Sequence, residues 1–216
     1  MRPYYDDGKG IVIYHGDCRD VLPGLVADAV VTDPPYNVGK DYEKHNDSMG
    51  AGEYESWSAE IVALCRAVAP NQFWVAPRYK LDLWLRLLPG SHLVVIRRGA
   101  AGPFRQGWSD QFEIALALGK PSRCVPDLWD DIRLKGEGYF FREHTYGHPG
   151  YTPSEILARA IMLLSPEKGM IVEPFAGTGT ALRAAKDLGR QAVGIELNER
   201  YCEIAAERLS QEVLAL

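Results

Sequence analysis

Four consecutive residues have the types needed to bind an amino group: Asp33, Pro34, Pro35 and Tyr36. The Asp33 carboxylate can accept one N–H hydrogen bond and the Pro34 carbonyl a second, since the prolines contribute no N–H donors here. Two acceptors on an amine conjugated to an aromatic ring would localise the nitrogen lone pair, and Tyr36 offers a ring face for stacking. Asp-Pro-Pro is also a common turn sequence, so this segment alone leaves a structural role open.

A second group of residues, later in the chain, has the pattern of a nucleoside-binding turn. An apolar run over 170–173 leads into a glycine-containing segment made of Phe175, Ala176, Gly177, Thr178, Gly179 and Thr180. Such a turn lets backbone approach a ligand and directs helix N–H groups at it. Glu196 ends the next apolar run about 20 residues later, the spacing at which a carboxylate accepts ribose hydroxyls. Leu182 replaces the third glycine of the dinucleotide fingerprint, which favours a mononucleoside-type cofactor.

Both groups require strands that end at one edge of a sheet. Short Val- and Ile-rich runs alternate with longer amphipathic segments, which predicts a doubly wound, Rossmann-like α/β fold with a mostly parallel sheet and helices on both faces. Strands are predicted over 10–15, 29–32, 73–76, 92–96, 112–118, 170–173 and 192–196, and helices over 54–68, 80–88, 153–164, 180–188 and 199–213. Ligands bind beyond the carboxyl ends of such strands, where both groups would lie.

Two of the predicted helices begin with capping signals. Thr152, Pro153 and Glu155 have the pattern of a Thr cap, a Pro at the first helical position and a Glu at the third. Asn198 is the predicted cap of the last helix.

The composition limits the class of protein. A chain of 216 residues with 46% hydrophobic residues can form one substantial core, so we expect a single domain over 1–216. The net charge of −5 argues against a protein that coats nucleic acid by bulk charge, so any basic surface must be local. Four scattered cysteines without a CxxC pair predict no zinc site and fit a reducing cytosol. No apolar run approaches the roughly 20 residues that span a bilayer, so we expect a soluble, cytoplasmic protein.

The order of the two groups resembles that of the amino-methyltransferases of bacterial restriction-modification and phage systems, in which Asp-Pro-Pro-Tyr precedes Phe-x-Gly-x-Gly. The likeness extends over nearly the whole chain. It implies a mixed seven-stranded sheet, S-adenosylmethionine as methyl donor, and a target base flipped out of double-stranded DNA. Asp in the first motif position, rather than Ser, resembles the adenine N6 enzymes more than the cytosine N4 enzymes.

The resemblance also assigns residues outside the two motifs. Asp17 and Cys18 correspond to a segment that contacts the adenine of the cofactor, and Glu113 to an acid near the target pocket. His148 and Pro153 correspond to the segment and helix that hold the methionine end of the cofactor. Leu197 and Asn198, which follow Glu196, complete the predicted cofactor site.

Two departures from the family's pattern affect what we expect. Thr152 stands where the family usually has Lys, which leaves the details of methionine binding open. Only about 30 residues, 120–150, replace the larger target-recognition insert of sequence-specific members. We therefore expect a short or relaxed recognition sequence, and a homodimer stays open as a way to gain DNA surface.

The residues that would contact DNA are basic or aromatic. Arg97, Arg98 and Arg105, which follow a predicted strand, and Lys40 are the expected nucleic-acid contacts. Aromatic residues of the irregular segments could stack on bases or anchor loops on the core: Trp108, Trp129, Tyr139, Phe140, Phe141 and Tyr146. Cytosine N4 methylation, RNA base methylation and a non-catalytic nucleic-acid-binding protein on a decayed scaffold are the alternatives. The intact Asp-Pro-Pro-Tyr argues against decay.

Overall fold

The computed structural model describes residues 2–42, 47–97, 112–130 and 152–211. Within them, nine strands form one mixed sheet with the strand order β1-β2-β9-β8-β3-β4-β6-β5-β7. The strands are β1 (Tyr5–Asp6), β2 (Ile11–His15), β3 (Ala29–Thr32), β4 (Asn71–Ala76), β5 (His92–Arg97), β6 (Phe112–Leu118), β7 (Leu128–Trp129), β8 (Met170–Glu173) and β9 (Gln191–Glu196). The helices are α1 (Cys18–Val21), α2 (Ala51–Val68), α3 (Leu81–Leu87), α4 (Ser154–Leu164), α5 (Thr180–Asp187) and α6 (Glu199–Ser210), with a 3₁₀ turn over Arg78–Lys80.

The centre of the sheet is parallel. Strands β2, β9, β8, β3 and β4 are neighbours in that order and all run in the same direction. Strand β6 is antiparallel to both of its neighbours, β4 and β5, and β1 is antiparallel to β2. The carboxyl ends of the parallel strands therefore meet the beginning of β6 at one edge of the sheet.

The predicted α/β fold is confirmed, and all seven predicted strands are present. The bounds of β3, β6 and β8 match the prediction, and those of the other four differ by one or two residues. The sheet gains β1 and β7, each only two residues long, at its two outer positions. A two-residue strand is too short for hydrophobic periodicity to reveal it.

One predicted cap is wrong and another is confirmed. Helix α4 begins at Ser154 with Pro153 at its N-cap, and no side chain caps it. The Thr152 hydroxyl is instead hydrogen-bonded to the Asp33 carboxylate, a tertiary contact that the local sequence pattern does not contain. Asn198 does cap α6, since its side chain accepts a hydrogen bond from the Arg200 N–H at 3.0 Å.

Alternate residues of the central strands are buried in two different hydrophobic layers. In β3, Ala29 and Val31 pack into the layer that contains the buried residues of α4, α5 and α6. Val30, between them, packs into the layer that contains those of α1, α2 and α3. Because both faces of β3 are covered, every residue of this strand is buried, which explains its uniformly apolar sequence up to Thr32. In the part of the chain that the structure describes, no helix is both long and apolar enough to cross a membrane.

Gly194 in β9 provides the space that Leu182 of α5 occupies. A Cβ added at Gly194 would lie 2.6 Å from Leu182 Cδ2 and 3.0 Å from Ala176 Cβ. Leu182 is fully buried and occupies the position of the third glycine in the dinucleotide fingerprint. The third glycine of the fingerprint usually allows a helix to approach a strand closely. Here Gly194 in the strand allows α5 to approach β9 instead.

Replacing Gly194 by Ala should destabilise the protein by about 1–3 kcal/mol, because the added methyl overpacks a filled core. Gly52 is the matched control: it lies inside α2, and a Cβ there would meet nothing within 4 Å. Gly52→Ala should raise stability by up to about 1 kcal/mol through helix propensity. Urea unfolding of both variants measures the difference, and equal effects would contradict this account of Gly194.

Candidate active site

Strands β3 and β8 lie side by side at the centre of the sheet, and the segments that follow them start at the same edge. Ala29 pairs with Ile171 and Val30 with Val172 in a parallel register. The chain proceeds from β3 to β4 on one side and from β8 to β9 on the other. The crevice between β3 and β8 is therefore the point where the winding direction changes, at which open α/β sheets bind ligands.

One cleft at this edge collects the residues that the sequence analysis assigned to two separate functions. From the predicted acceptor segment and its loop it contains Asp33, Pro34, Pro35, Tyr36 and Lys40. From the predicted cofactor site it contains Asp17, Cys18, Phe175, Glu196 and Leu197. The amine-binding and nucleoside-binding groups thus share one cavity.

The other predicted cofactor residues lie outside the lining of this cleft. Ala176, Gly177, Thr178 and Gly179 are buried, Thr180 begins α5, Asn198 caps α6, and Pro153 precedes α4. Gly179 has φ 80°, and a Cβ there would lie 3.0 Å from Ala205 Cβ of α6. The absence of a side chain at Gly179 therefore allows α6 to pack closely against the turn.

Glu196 joins the turns that follow β8 and β9. Its carboxylate accepts the N–H of Gly177 at 2.8 Å through Oε2 and the N–H of Asn198 at 2.8 Å through Oε1. Burial raises the pKa of Glu196, although these backbone hydrogen bonds favour its charged form. A carboxylate has about four acceptor positions, so capacity remains for hydroxyl donors in the cleft. This donor set fits a ribose.

Asp17 and Cys18 form the wall beyond β2. The Asp17 carboxylate caps α1 by accepting the Arg19 N–H, and it forms an ion pair with the Arg19 guanidinium at 2.6 Å. Cys18 is buried, and burial raises the pKa of its thiol to about 12. The thiol is therefore neutral and lines the cleft as a small apolar group.

Asp33 is held from the opposite side by the segment before α4. The Thr152 hydroxyl donates a hydrogen bond to Asp33 Oδ2 at 2.6 Å. The two residues are far apart in sequence, and both line the cleft. Thr152, which stands where the family usually has Lys, thus contacts Asp33, the acid expected to bind the amine.

A buried carboxyl group connects the acceptor segment with the glycine-containing turn. Glu173, at the end of β8, accepts the Thr32 hydroxyl at 2.6 Å and the Phe175 N–H at 3.0 Å through the same oxygen. It is only 4% exposed, and burial raises its pKa well above the usual value, with the nearby Asp33 and Glu196 carboxylates acting in the same direction. The sequence analysis did not single out Glu173; an acid at the end of an otherwise apolar strand was the available signal.

Helix α2 supports the cleft with two aromatic residues that the sequence analysis also missed. The buried Tyr54 donates its hydroxyl hydrogen to the Pro35 carbonyl at 2.9 Å, and burial raises its pKa to about 12. Trp57 lines the cleft, and its ring lies 5.6 Å from that of Phe175. These contacts hold the Pro-Pro segment and Phe175 against the same helix.

The loop after Tyr36 is folded around the buried Asp47. This carboxylate accepts the N–H groups of Asn37, Val38 and Lys40 at 2.7, 3.0 and 2.9 Å. The loop places the Lys40 ammonium 5.5 Å from the centre of the Tyr36 ring. The loop therefore has a defined shape on both sides of residues 43–46, which lie outside the described ranges.

The remaining predicted DNA contacts are distributed differently. Arg97 is exposed at the end of β5, outside the cleft. Trp129 is buried and stacks on Phe73 at 5.4 Å, so it anchors its segment on the core. Several predicted residues lie outside the described residues: Arg98, Arg105, Trp108, Tyr139, Phe140, Phe141, Tyr146 and His148, together with 131–150 of the proposed recognition segment.

Known proteins share both sequence and fold with this chain. A family model described as DNA methylase matches residues 118–207. The chain is 28% identical to the type II methyltransferase M.ScaI of Streptomyces caespitosus, over 100% of this chain and 86% of that protein. It is 24% identical to the DNA adenine methyltransferase YhdJ of Escherichia coli (strain K12), over 91% of this chain and 82% of that protein.

Two solved structures have the same α/β fold. The M1.HpyAVI-SAM complex superposes with a TM-score of 0.67 at 22% identity, covering 92% of this chain and 98% of that one. The cytosine-N4-specific PvuII DNA methyltransferase superposes with a TM-score of 0.71 at 15% identity, covering 95% of this chain and 88% of that one. At these identities the likeness concerns the fold.

Replacing Glu173 by Gln should reduce the loss of stability at alkaline pH. The pKa of Glu173 in the folded protein lies above its unfolded value of about 4.3. The protonated side chain therefore stabilises the fold at low pH, and this contribution is lost as the pH rises through the folded pKa. Urea unfolding at about pH 5 and pH 9 should show a smaller fall for the variant than for the wild type. The exposed Glu167→Gln serves as control; identical pH dependence in all three proteins would refute the prediction.

Proposed function

We propose that this chain, which is similar to DNA methyltransferases of the class that acts on adenine N6 or cytosine N4, methylates the N6 amine of adenine in DNA. The observation that carries the proposal is the shared cleft, which is lined by Asp33, Pro34 and Tyr36 together with Phe175 and Glu196. An amine acceptor site and a nucleoside site in one cavity suit a transfer between the two. S-adenosylmethionine is the donor, and it supplies an electrophilic methyl group when bound.

The residues of the proposed cofactor site have distinct roles. Glu196 accepts the ribose hydroxyls, and Phe175 and Leu197 provide apolar walls beside the nucleoside. Asp17 lies near the adenine, with its charge shared with Arg19. Gly177 and Asn198 hold the Glu196 carboxylate in place through their N–H groups.

Asp33 and the Pro34 carbonyl bind the two hydrogens of the target amine. This withdraws the nitrogen lone pair from the base ring and directs it at the methyl group, while Tyr36 stacks on the base. The lone pair forms the new N–C bond as the C–S bond breaks and its electrons stay on sulfur. The nitrogen becomes acidic only after this transfer, so Asp33 accepts a proton late and needs no strong basicity beforehand.

The base reaches this position outside the helix stack. Asp33 lines a cleft and is only partly exposed, and the amine of a stacked base cannot enter such a site. We therefore propose that the target nucleotide is flipped. The preference for adenine rests on Asp at the first motif position and agrees with the name of YhdJ, which is a DNA adenine methyltransferase; cytosine N4 is the second candidate.

Replacing Asp33 by Ala should lower kcat by at least about two orders of magnitude, because one of two amine acceptors is lost. Affinity for S-adenosylmethionine should change little, since Asp33 belongs to the acceptor side of the cleft. The control is Asp127→Ala, which removes an exposed acid just before β7. Digestion of treated DNA to nucleosides, followed by mass spectrometry, measures both the rate and the methylated base. Normal turnover in the Asp33 variant would exclude this mechanism, and N4-methylcytosine as product would exclude the adenine assignment.

The recognition sequence should be short or relaxed, because only about 30 residues replace the larger recognition insert of other members. Methylation of duplexes with randomised sequence, followed by mapping of the modified positions, measures this specificity. A strict site of about six base pairs would contradict the expectation, since a site of that length needs many base-edge contacts.

A further inference from the structure

Four side chains beside the cleft form a continuous surface that the proposed mechanism does not use, and we call this surface the edge patch. It consists of Arg78 and Tyr79 after β4, Arg97 at the end of β5 and Phe112 at the start of β6. Strand β6 runs antiparallel to β4 and β5, so its first residue lies at the edge where the other two strands end. This is also the edge that bears Asp33.

Direct contacts join the members of the edge patch. Arg97 and Phe112 are paired across the β5–β6 ladder. The Arg78 guanidinium lies 5.0 Å from the centre of the Tyr79 ring and 5.9 Å from that of Phe112, and it donates a hydrogen bond to the Tyr79 hydroxyl at 2.9 Å. The aromatic rings and the two cations therefore form one surface.

The edge patch exposes aromatic rings to solvent. Tyr79 is 72% exposed and Phe112 is 41% exposed, whereas most large aromatic residues of the described chain are buried or packed on the core. An exposed ring beside a guanidinium offers a stacking face and a positive charge at the same place. The patch is also next to the cleft, because Glu113, which follows Phe112, lines it.

The charges around the edge patch favour an anionic partner. Among the residues that the structure describes, no acid forms an ion pair with Arg97. Within the described ranges, two acids lie near the patch: Asp82 forms an ion pair with Arg86 at 3.0 Å, and Glu113 lines the cleft. In a chain with a net charge of −5, this positive surface beside the cleft is a local exception.

We propose that the edge patch binds the DNA that flanks the target nucleotide, with Arg78 and Arg97 on phosphates and Tyr79 stacked on an unpaired base or a sugar. The inference rests on the proposed function, since it takes the cleft as the place where the target base enters. Cations set the register of the duplex and a projecting ring fills the space beside a displaced base. A second copy of this chain is the competing occupant, which the experiment below distinguishes.

The test measures binding of a fluorescently labelled duplex of about thirty base pairs and mixed sequence, at salt concentrations between about 50 and 200 mM. Arg78→Ala and Arg97→Ala should each reduce the slope of log K against log salt by about 0.9. Tyr79→Leu should weaken binding about 5- to 100-fold, whereas Tyr79→Phe should stay within about twofold of the wild type because the ring is kept. Affinity for S-adenosylmethionine should be unchanged in all of them.

Arg123→Ala is the matched control. Arg123 is exposed in the segment after β6, at the opposite edge of the sheet, so its loss should leave the salt slope unchanged. A wild-type protein that binds and methylates DNA, with edge-patch variants that bind like Arg123→Ala, would overturn this inference and leave the proposed function standing. A wild type that neither binds nor methylates DNA would overturn both. Variants that change the sedimentation coefficient but not the DNA affinity would assign the surface to a contact between two copies and refute the proposal.

Discussion

The buried hydrogen bond between Thr32 and Glu173 is the contact on which the geometry of the cleft depends. Thr32 is the last residue of β3 and Glu173 the last of β8, and the same carboxyl oxygen also accepts the N–H of Phe175. One side chain therefore fixes the points at which the Asp-Pro-Pro-Tyr segment and the glycine turn leave the sheet. A polar group left unpaired at such a depth costs about 1–3 kcal/mol, so the two segments are held together by the need to satisfy this carboxyl.

Further layers of contacts preserve the shape that this bond establishes. Tyr54 of α2 donates to the Pro35 carbonyl, and Thr152, just before α4, donates to Asp33. Helices α2 and α4 pack in opposite layers of the sheet, so the acceptor segment is held from both faces. Asp47 accepts hydrogen bonds from three backbone N–H groups of the loop after Tyr36, and these bonds keep Lys40 close to Tyr36.

Hydrophobic periodicity predicted the sheet because each central strand is buried on both faces and reads as an apolar run. The two motifs could be placed at one edge because parallel strands in a doubly wound sheet leave their carboxyl ends together. The supporting contacts could not be predicted in this way. The Thr152–Asp33 and Thr32–Glu173 bonds join residues more than a hundred positions apart, and Thr152 in particular has a local pattern that indicates a cap. Asp47 lies in a polar stretch in which nothing in the sequence distinguishes a buried carboxylate from a solvated one.

The carboxyl groups of Asp33 and Glu196 lie close enough to Glu173 at this edge to help raise its pKa. Because burial keeps Glu173 protonated, the negative charge at this edge comes from Asp33 and Glu196, and a positively charged sulfonium is attracted by it more strongly than a neutral thioether. We therefore expect the cleft to bind the charged donor more tightly than the neutral product that the donor becomes. The same charge repels phosphate, so a nucleotide bound as proposed would keep its phosphates outside the cleft while its uncharged base enters.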